Sequence, residues 1–252
     1  MMLRSSLTTL AILFAGLGSF ARADVFELRT YTTNDGKLAD LESRFRDHTV
    51  QLFEKHGIEN VGYWIPTDGE KAKNTLIYVV KHKSPEGAKQ AWKDFVQDED
   101  WKTAYKASIA NGALVKKVDS VYMNATDYCP EIEKSASAEA SDAVYELRIY
   151  NTNEGKLDGL NARFRDHTTK LFERHGIENV AYWTPSDKPT SENQLIYIIK
   201  HNSRDAAKKS WKAFGSDPEW KKVAKESQKD GKFLAERPTS IYMKATDYSP
   251  LR

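Results

Sequence analysis

Hydrophobic and polar positions alternate along the chain with two different periods. In "VFELRTY" at 25–31, Phe26, Leu28 and Thr30 alternate with Glu27, Arg29 and Tyr31, a two-residue period that predicts a strand. "NDG" at 34–36 supplies a turn. Beyond it, Leu38, Leu41, Phe45, His48 and Leu52 recur at three- and four-residue intervals, the stripe of an amphipathic helix. "HG" at 56–57 ends that helix, with Gly57 suited to the left-handed position after the last turn. Two apolar and aromatic runs, 59–66 and 74–83, predict the second and third strands. "SPEGAKQAW" opens a second helix, with Ser84 as cap and Pro85 at the first helical position. A further helical piece starts near Asp98, and "DSVYMNA" at 119–125 is the last strand.

The whole order then returns. "VYELRIY" at 144–150 repeats the first strand, "HGIENVAYW" at 175–183 repeats "HGIENVGYW" at 56–64, and "LIYIIKH" at 195–201 repeats "LIYVVKH" at 76–82, all at one constant spacing. One extra residue enters before "IYMKATDY" at 241–248, the counterpart of "VYMNATDY" at 121–128. All six histidines and all six tryptophans fall at matched positions. The expected organisation is a targeting segment at 1–23, a first domain at 24–128, a small-residue, polar linker at 129–142 and a second domain at 143–252. Each copy has about 105 residues, the size of an independent domain.

Strand, helix, strand, strand, helix, strand is the ferredoxin-like βαββαβ order, an α+β class. Such a sheet has one face under helices and one face bare. Phe26 and Leu28 are expected on the helix-covered face, with Glu27, Arg29 and Tyr31 opposite. The second copy is the obvious cover for the bare face. Two tandem ferredoxin-like domains meeting in this way form an intramolecular pseudo-dimeric α/β barrel.

Charge changes the picture in one respect. Lysine and arginine number 38 and acids 36, and Arg4 and Arg22 stand in an acid-free N-terminus, so the remainder is neutral. Nucleic-acid binding needs clustered positive charge, so no nucleic-acid partner is expected. Arg4, the apolar run "LTTLAILFAGLGSF" and the small residues Ala21 and Ala23 form a signal peptide cleaved after Ala23. The chain is then expected to be secreted or periplasmic, with a mitochondrial presequence as the alternative. The mature chain shows no run fit to span a membrane. Cys129 stands alone, which rules out an internal disulfide framework and reads as an inert thiol.

The series "YELRIY…GKL…RFRDHT…LFERHGI…YW…LIY…DPEW" resembles the NIPSNAP family, whose domains belong to the dimeric α/β-barrel superfamily. The resemblance covers both repeats and implies the barrel architecture. Family members are known mainly as mitochondrial or membrane-associated proteins without an agreed enzymatic activity. The wider superfamily includes cofactor-free monooxygenases, haem-handling enzymes and isomerases, often with a ligand pocket between helices and sheet.

Against that background, His48 and His167 in the doubled "RFRDHT" are expected half-buried at the edge of the helix stripe. There they would serve as hydrogen-bonded joints or, alternatively, as proton-transfer groups. His56 and His175 fall in the last helical turn, where a cation favours the helix dipole. His82 and His201 end a strand and are expected to face solvent or a ligand. Arg29, Tyr31, Arg148 and Tyr150, with Glu27 and Glu146, are expected to line the barrel interior with Glu–Arg pairing across the pseudo-twofold axis. Arg44 and Arg163 lie one turn before the histidines. Tyr63, Trp64 and Tyr78, with Tyr182, Trp183 and Tyr197, add aromatic walls to a ligand pocket.

No metal site is expected, because His48 and His56 are eight apart and one helix cannot present them together. No cofactor is expected either. Haem through His48 or His82 is an alternative carried by the superfamily alone. The functional expectation is a secreted protein that binds a small molecule or a protein partner, as a monomeric pseudo-dimer or a higher oligomer. The alternatives are a cofactor-independent monooxygenase or isomerase, and a haem-binding protein.

Overall fold

The computed structural model describes residues 24–132 and 142–252; the signal-peptide reading of 1–23 and most of the expected linker lie outside them. The first repeat runs β1 (Val25–Thr33), α1 (Leu38–Arg44), α2 (Val50–Lys55), β2 (Glu59–Pro66), a short α3 (Lys71–Asn74), β3 (Thr75–His82), α4 (Pro85–Gln97), α5 (Glu99–Ser108) and β4 (Val115–Ala125). The second runs β5 (Val144–Asn151), α6 (Leu157–Arg163), α7 (Thr169–Arg174), β6 (Glu178–Pro185), β7 (Gln194–His201), α8 (Arg204–Ser216), α9 (Pro218–Ser227) and β8 (Thr239–Ala245). The helix starts follow the expected chemistry. Ser84 Oγ accepts the Gly87 N–H at 3.0 Å, and Ser203 Oγ accepts that of Ala206 at 3.0 Å.

All eight strands close one antiparallel barrel in the order β1-β3-β2-β8-β5-β7-β6-β4. Each repeat supplies four adjacent strands, and two seams join them. Trp64, Ile65 and Pro66 pair with Ala245, Lys244 and Met243 at one seam; Met123, Asn124 and Ala125 pair with Pro185, Thr184 and Trp183 at the other. Closure leaves no bare sheet edge.

The expected assignment of faces is reversed. Phe26 and Leu28 point into the barrel, where they pack with Trp64, Ile77, Val79, Met123 and their second-repeat counterparts. Tyr63 and Tyr78 belong instead to the layer between sheet and helices, with Leu41, Phe45, Phe53 and Phe95. Alternation shows which residues share a face, but not what covers that face. A closed eight-stranded barrel is filled by its own side chains, so the uncharged set went inward. The mixed set met the helices, which carry donors for its charges.

The tails after β4 and β8 each cross to the other repeat. Arg46 Nε and Nη2 donate to the two carboxylate oxygens of Asp247, both at 2.8 Å, and Arg165 grips Asp127 in the same way at 2.6 and 2.7 Å. Tyr248 packs on Tyr63 with ring centroids 5.4 Å apart, and Tyr128 on Tyr182 at 5.3 Å. The Tyr63 N–H donates to Ser249 Oγ at 2.9 Å; in the other repeat the Tyr182 N–H donates to Cys129 Sγ at 3.3 Å. The lone cysteine therefore stands where the second copy has a serine, and burial pushes its thiol up, which keeps it protonated.

Candidate functional site

Both repeats leave a cavity between their helices and the outer wall of the barrel. The first, about 320 Å³, is bounded by Tyr31, Arg44, Phe45, Thr49, Trp101 and Tyr105 among others. The second, about 240 Å³, has Tyr150, Arg163, Phe164, Thr168 and Trp220 in its wall. A third space of about 580 Å³ opens at one end of the barrel beside Phe26, Lys81, Cys129 and Leu251.

The paired cavities depend on an irregular turn. Between α1 and α2 the residues Phe45–Thr49, "FRDHT", form a π-helical turn in which the Val50 N–H donates to the Phe45 carbonyl five residues back. The second repeat has the same turn at Phe164–Thr168. Thr49 Oγ1 donates to the Arg44 carbonyl at 3.1 Å, and Thr168 Oγ1 to that of Arg163 at 3.1 Å. Each hydroxyl thus bonds back to the backbone at the start of the widened turn. One extra residue per turn rotates everything after it relative to an α-helix. Thr49 consequently points inward where unbroken periodicity would place His48.

The expectation for the doubled histidine is corrected on this ground: His48 and His167 are exposed. His167 borders an outer groove with Gly159, Glu226 and Phe233, and neither ring enters the paired cavities. The inward position belongs to Arg44 and Arg163, which are only 6% and 7% exposed. Arg44 Nη1 donates to Ser108 Oγ at 3.2 Å, while its Nε is buried without a partner. Arg163 repeats this with Ser227 at 3.5 Å and an equally unpartnered Nε. The Arg44 guanidinium lies 5.3 Å from the Trp101 ring centroid and 5.5 Å from that of Tyr105; Arg163 lies 5.2 Å from Trp220 and 4.8 Å from Phe233. Burial lowers the pKa of both guanidinium groups, yet an arginine remains protonated.

Glu27, Arg29 and Tyr31 lie under the helices rather than inside the barrel. Glu27 is fully buried. Its Oε1 accepts from Arg29 Nη1 at 2.5 Å and Ser120 Oγ at 2.6 Å. Its Oε2 accepts from the Trp92 indole at 2.7 Å and lies 3.2 Å from His82 Nε2. Burial alone would raise this carboxyl, but His82, Arg29, Ser120 and Trp92 outweigh it and hold it at about 2. Glu146, with Arg148, Ser240, Trp211 and His201, repeats the arrangement and is also held at about 2. The expected Glu–Arg pairs therefore form, but along one strand and not across the pseudo-twofold axis. His82 and His201, expected at solvent or a ligand, are 2% and 1% exposed and pack beside Trp92 of α4 and Trp211 of α8. Neither lines a paired cavity.

His56 Nε2 lies 2.7 Å from Asp98 Oδ2, and Asp98 Oδ1 accepts the N–H groups that open α5. His175 and Asp217 repeat the link. These histidines join two helix ends, which is more specific than a dipole effect. Of the aromatic candidates, Trp64 and Trp183 face the barrel core, whereas Tyr63, Tyr78, Tyr182 and Tyr197 lie under the helices; the two sets share no cavity. The sequence-based candidates that do reach the paired cavities are Tyr31, Arg44, Tyr150 and Arg163. Sequence reasoning missed Thr49, Trp101, Ser108 and Tyr105. The available signal was the matched "EDW" and "PEW" that follow Asp98 and Asp217. No group of three or more histidine, cysteine, aspartate or glutamate residues among those described could hold a metal ion. No helix among them is long and apolar enough to cross a membrane.

Fold and site together define a single-chain pseudo-dimeric α/β barrel with a helix-covered cavity in each half. The NIPSNAP family profile matches residues 26–130 and 145–250, so the chain belongs to the NIPSNAP family. A NipSnap homolog of Dictyostelium discoideum is 26% identical over 156 residues, covering 62% of this chain and 60% of that protein. Among solved structures, a candidate monooxygenase of Fusobacterium nucleatum superposes with a TM-score of 0.57 at 12% identity, over 89% of this chain and 93% of that one. A second, from Lactobacillus acidophilus, gives 0.54 at 10% identity, over 90% and 96%. At these identities the likeness is one of fold.

Proposed function

We propose that the protein binds small organic molecules, one in each repeat, in the two cavities between helices and barrel wall. The observation that carries this reading is the recurrence of one construction: a π-helical turn, a buried arginine, an aromatic wall and a half-open cavity, built twice from matched residues. π-helical turns are concentrated at functional sites, and concave, mostly apolar spaces with a few polar groups are where ligands bind. The titratable groups at these cavities are arginines, lysines and tyrosines, with no histidine or carboxylate to take a proton. Binding therefore stands ahead of the oxygenase or isomerase reading. We also place this work outside the cytoplasm, after removal of residues 1–23; Asp24 at the N-terminus of the protein recovered from its host is the expected result.

Native mass spectrometry on protein purified gently from its own host compartment tests the binding reading. Added mass of up to two small molecules per chain supports it. A bare chain, with no mass shift on addition of flat aromatic compounds, contradicts it.

A further inference from the structure

We propose that the ligand of both cavities is an organic carboxylate with a flat apolar body, and that Arg44 and Arg163 are its anion anchors. This rests on the cavities being binding sites and names what they select.

Four other arginines with buried or paired side chains each have a carboxylate partner. Arg29 and Arg148, partly buried, each donate to a carboxylate at 2.5 and 2.6 Å. Arg46 and Arg165, more exposed, each hold an aspartate with two bonds. Arg44 and Arg163 are the more deeply buried, yet neither has a carboxylate partner among the described residues. Each has one hydroxyl contact; the Nε lacks a partner, as it does in Arg29 and Arg148, so the missing carboxylate is what sets this pair apart. Burying a charge without a counter-charge is costly, and the aromatic rings and a serine offset only part of that cost. Both arginines belong to the wall of a half-open cavity under the helices. A guanidinium presents its donors as a planar fork that matches the two oxygens of a carboxylate.

The remaining walls set the rest of the ligand. In the first cavity the rings of Tyr31, Phe45, Trp101 and Tyr105 stand beside the buried arginine, with the exposed Lys116 and Lys117 also in the wall, so the body that fits against the rings is flat and apolar. Each cavity offers one buried cation, which suits one negative charge better than a phosphate dianion. The arrangement recurs in both repeats, so it is no accident of one helix.

The test is isothermal titration and native mass spectrometry with 2-naphthoate and benzoate, against the neutral 2-naphthamide and benzamide. Wild type is expected to take up two carboxylates per chain and to bind the amides at least about tenfold more weakly, as the loss of a charge-assisted fork requires. Arg44→Met is expected to leave one site, and Arg44→Met with Arg163→Met none. Ligand-free Arg44→Met is also expected to melt above wild type, because it removes an uncompensated buried charge. An arginine kept only for packing would give the opposite shift. Equal binding of acid and amide, unchanged in the variants, overturns the anion proposal and leaves the cavities as binding sites. No binding of any probe to wild type overturns both. Loss of binding with a lowered melting point in Arg44→Met makes the arginine structural and overturns the proposal.

Discussion

The Glu27 carboxylate is surrounded by four polar partners in a place where water does not reach it, and its ionised form belongs to the folded state. Its pKa is held at about 2 against an ordinary 4.5. A depressed acid stabilises the fold above its unfolded value and loses that contribution as pH falls through the folded one. The window here therefore runs from about 4.5 down to 2. The difference corresponds to about 3 kcal/mol, and Glu146 repeats it. The melting temperature is expected to drop through that window, followed by calorimetry at stepped pH. Glu27→Gln should cost about 3–5 kcal/mol at neutral pH by leaving Arg29 unpaired, and should flatten part of the acid dependence. An acid profile unchanged in this variant would remove the carboxylate from the account. That Glu27 would pair with an arginine was legible in "ELR", since a buried acid needs a counter-charge; that the partner is Arg29 on the same strand was not, because the pairing was expected across the pseudo-twofold axis. The donors Trp92 and Ser120 were not, because only the closed fold brings them to Glu27.

The elements of each repeat follow the sequence closely, and the departures sit where one residue is added. The helix stripe at Leu38, Leu41 and Phe45 is read correctly; beyond Phe45 the π-helical turn shifts the inward face from His48 to Thr49. Periodicity cannot register an insertion that leaves the neighbouring residue types plausible. Thr49→Val should cost about 1 kcal/mol in chemical unfolding, because it leaves the Arg44 carbonyl without its hydroxyl donor. It should also weaken 2-naphthoate binding, because that turn aims Arg44.

A second extra residue, Val61, bulges β2 between Asn60 and Gly62. A Cβ at Gly62 would lie 2.3 Å from Trp64 Cη2, although Ala181 occupies the matched position in β6. Gly62→Ala should therefore cost about 1–3 kcal/mol by forcing the indole aside. An unchanged unfolding midpoint would show that Trp64 has room.

At the scale of the molecule, neither repeat buries its own sheet. A chain carrying the first repeat alone would expose Phe26, Leu28, Trp64, Ile77, Val79 and Met123, which now fill the barrel. It is expected to associate with a second copy or aggregate, whereas full-length protein cut within 133–141 should remain one particle by size-exclusion chromatography. A monodisperse, folded half would contradict the shared core. Duplication, element order and closure into a barrel were all legible, because repeats and bare sheet faces leave marks in sequence. Which face turned inward was not, since both faces of β1 carry apolar atoms and only closure decides between them.

A crystal structure of the protein with 2-naphthoate tests the two cavities most directly. The carboxylate is predicted within hydrogen-bond distance of the Arg44 guanidinium, with the ring system against Trp101 and Tyr105, and a second molecule at Arg163. Density for the probe elsewhere, with both arginines untouched, would contradict the central claim.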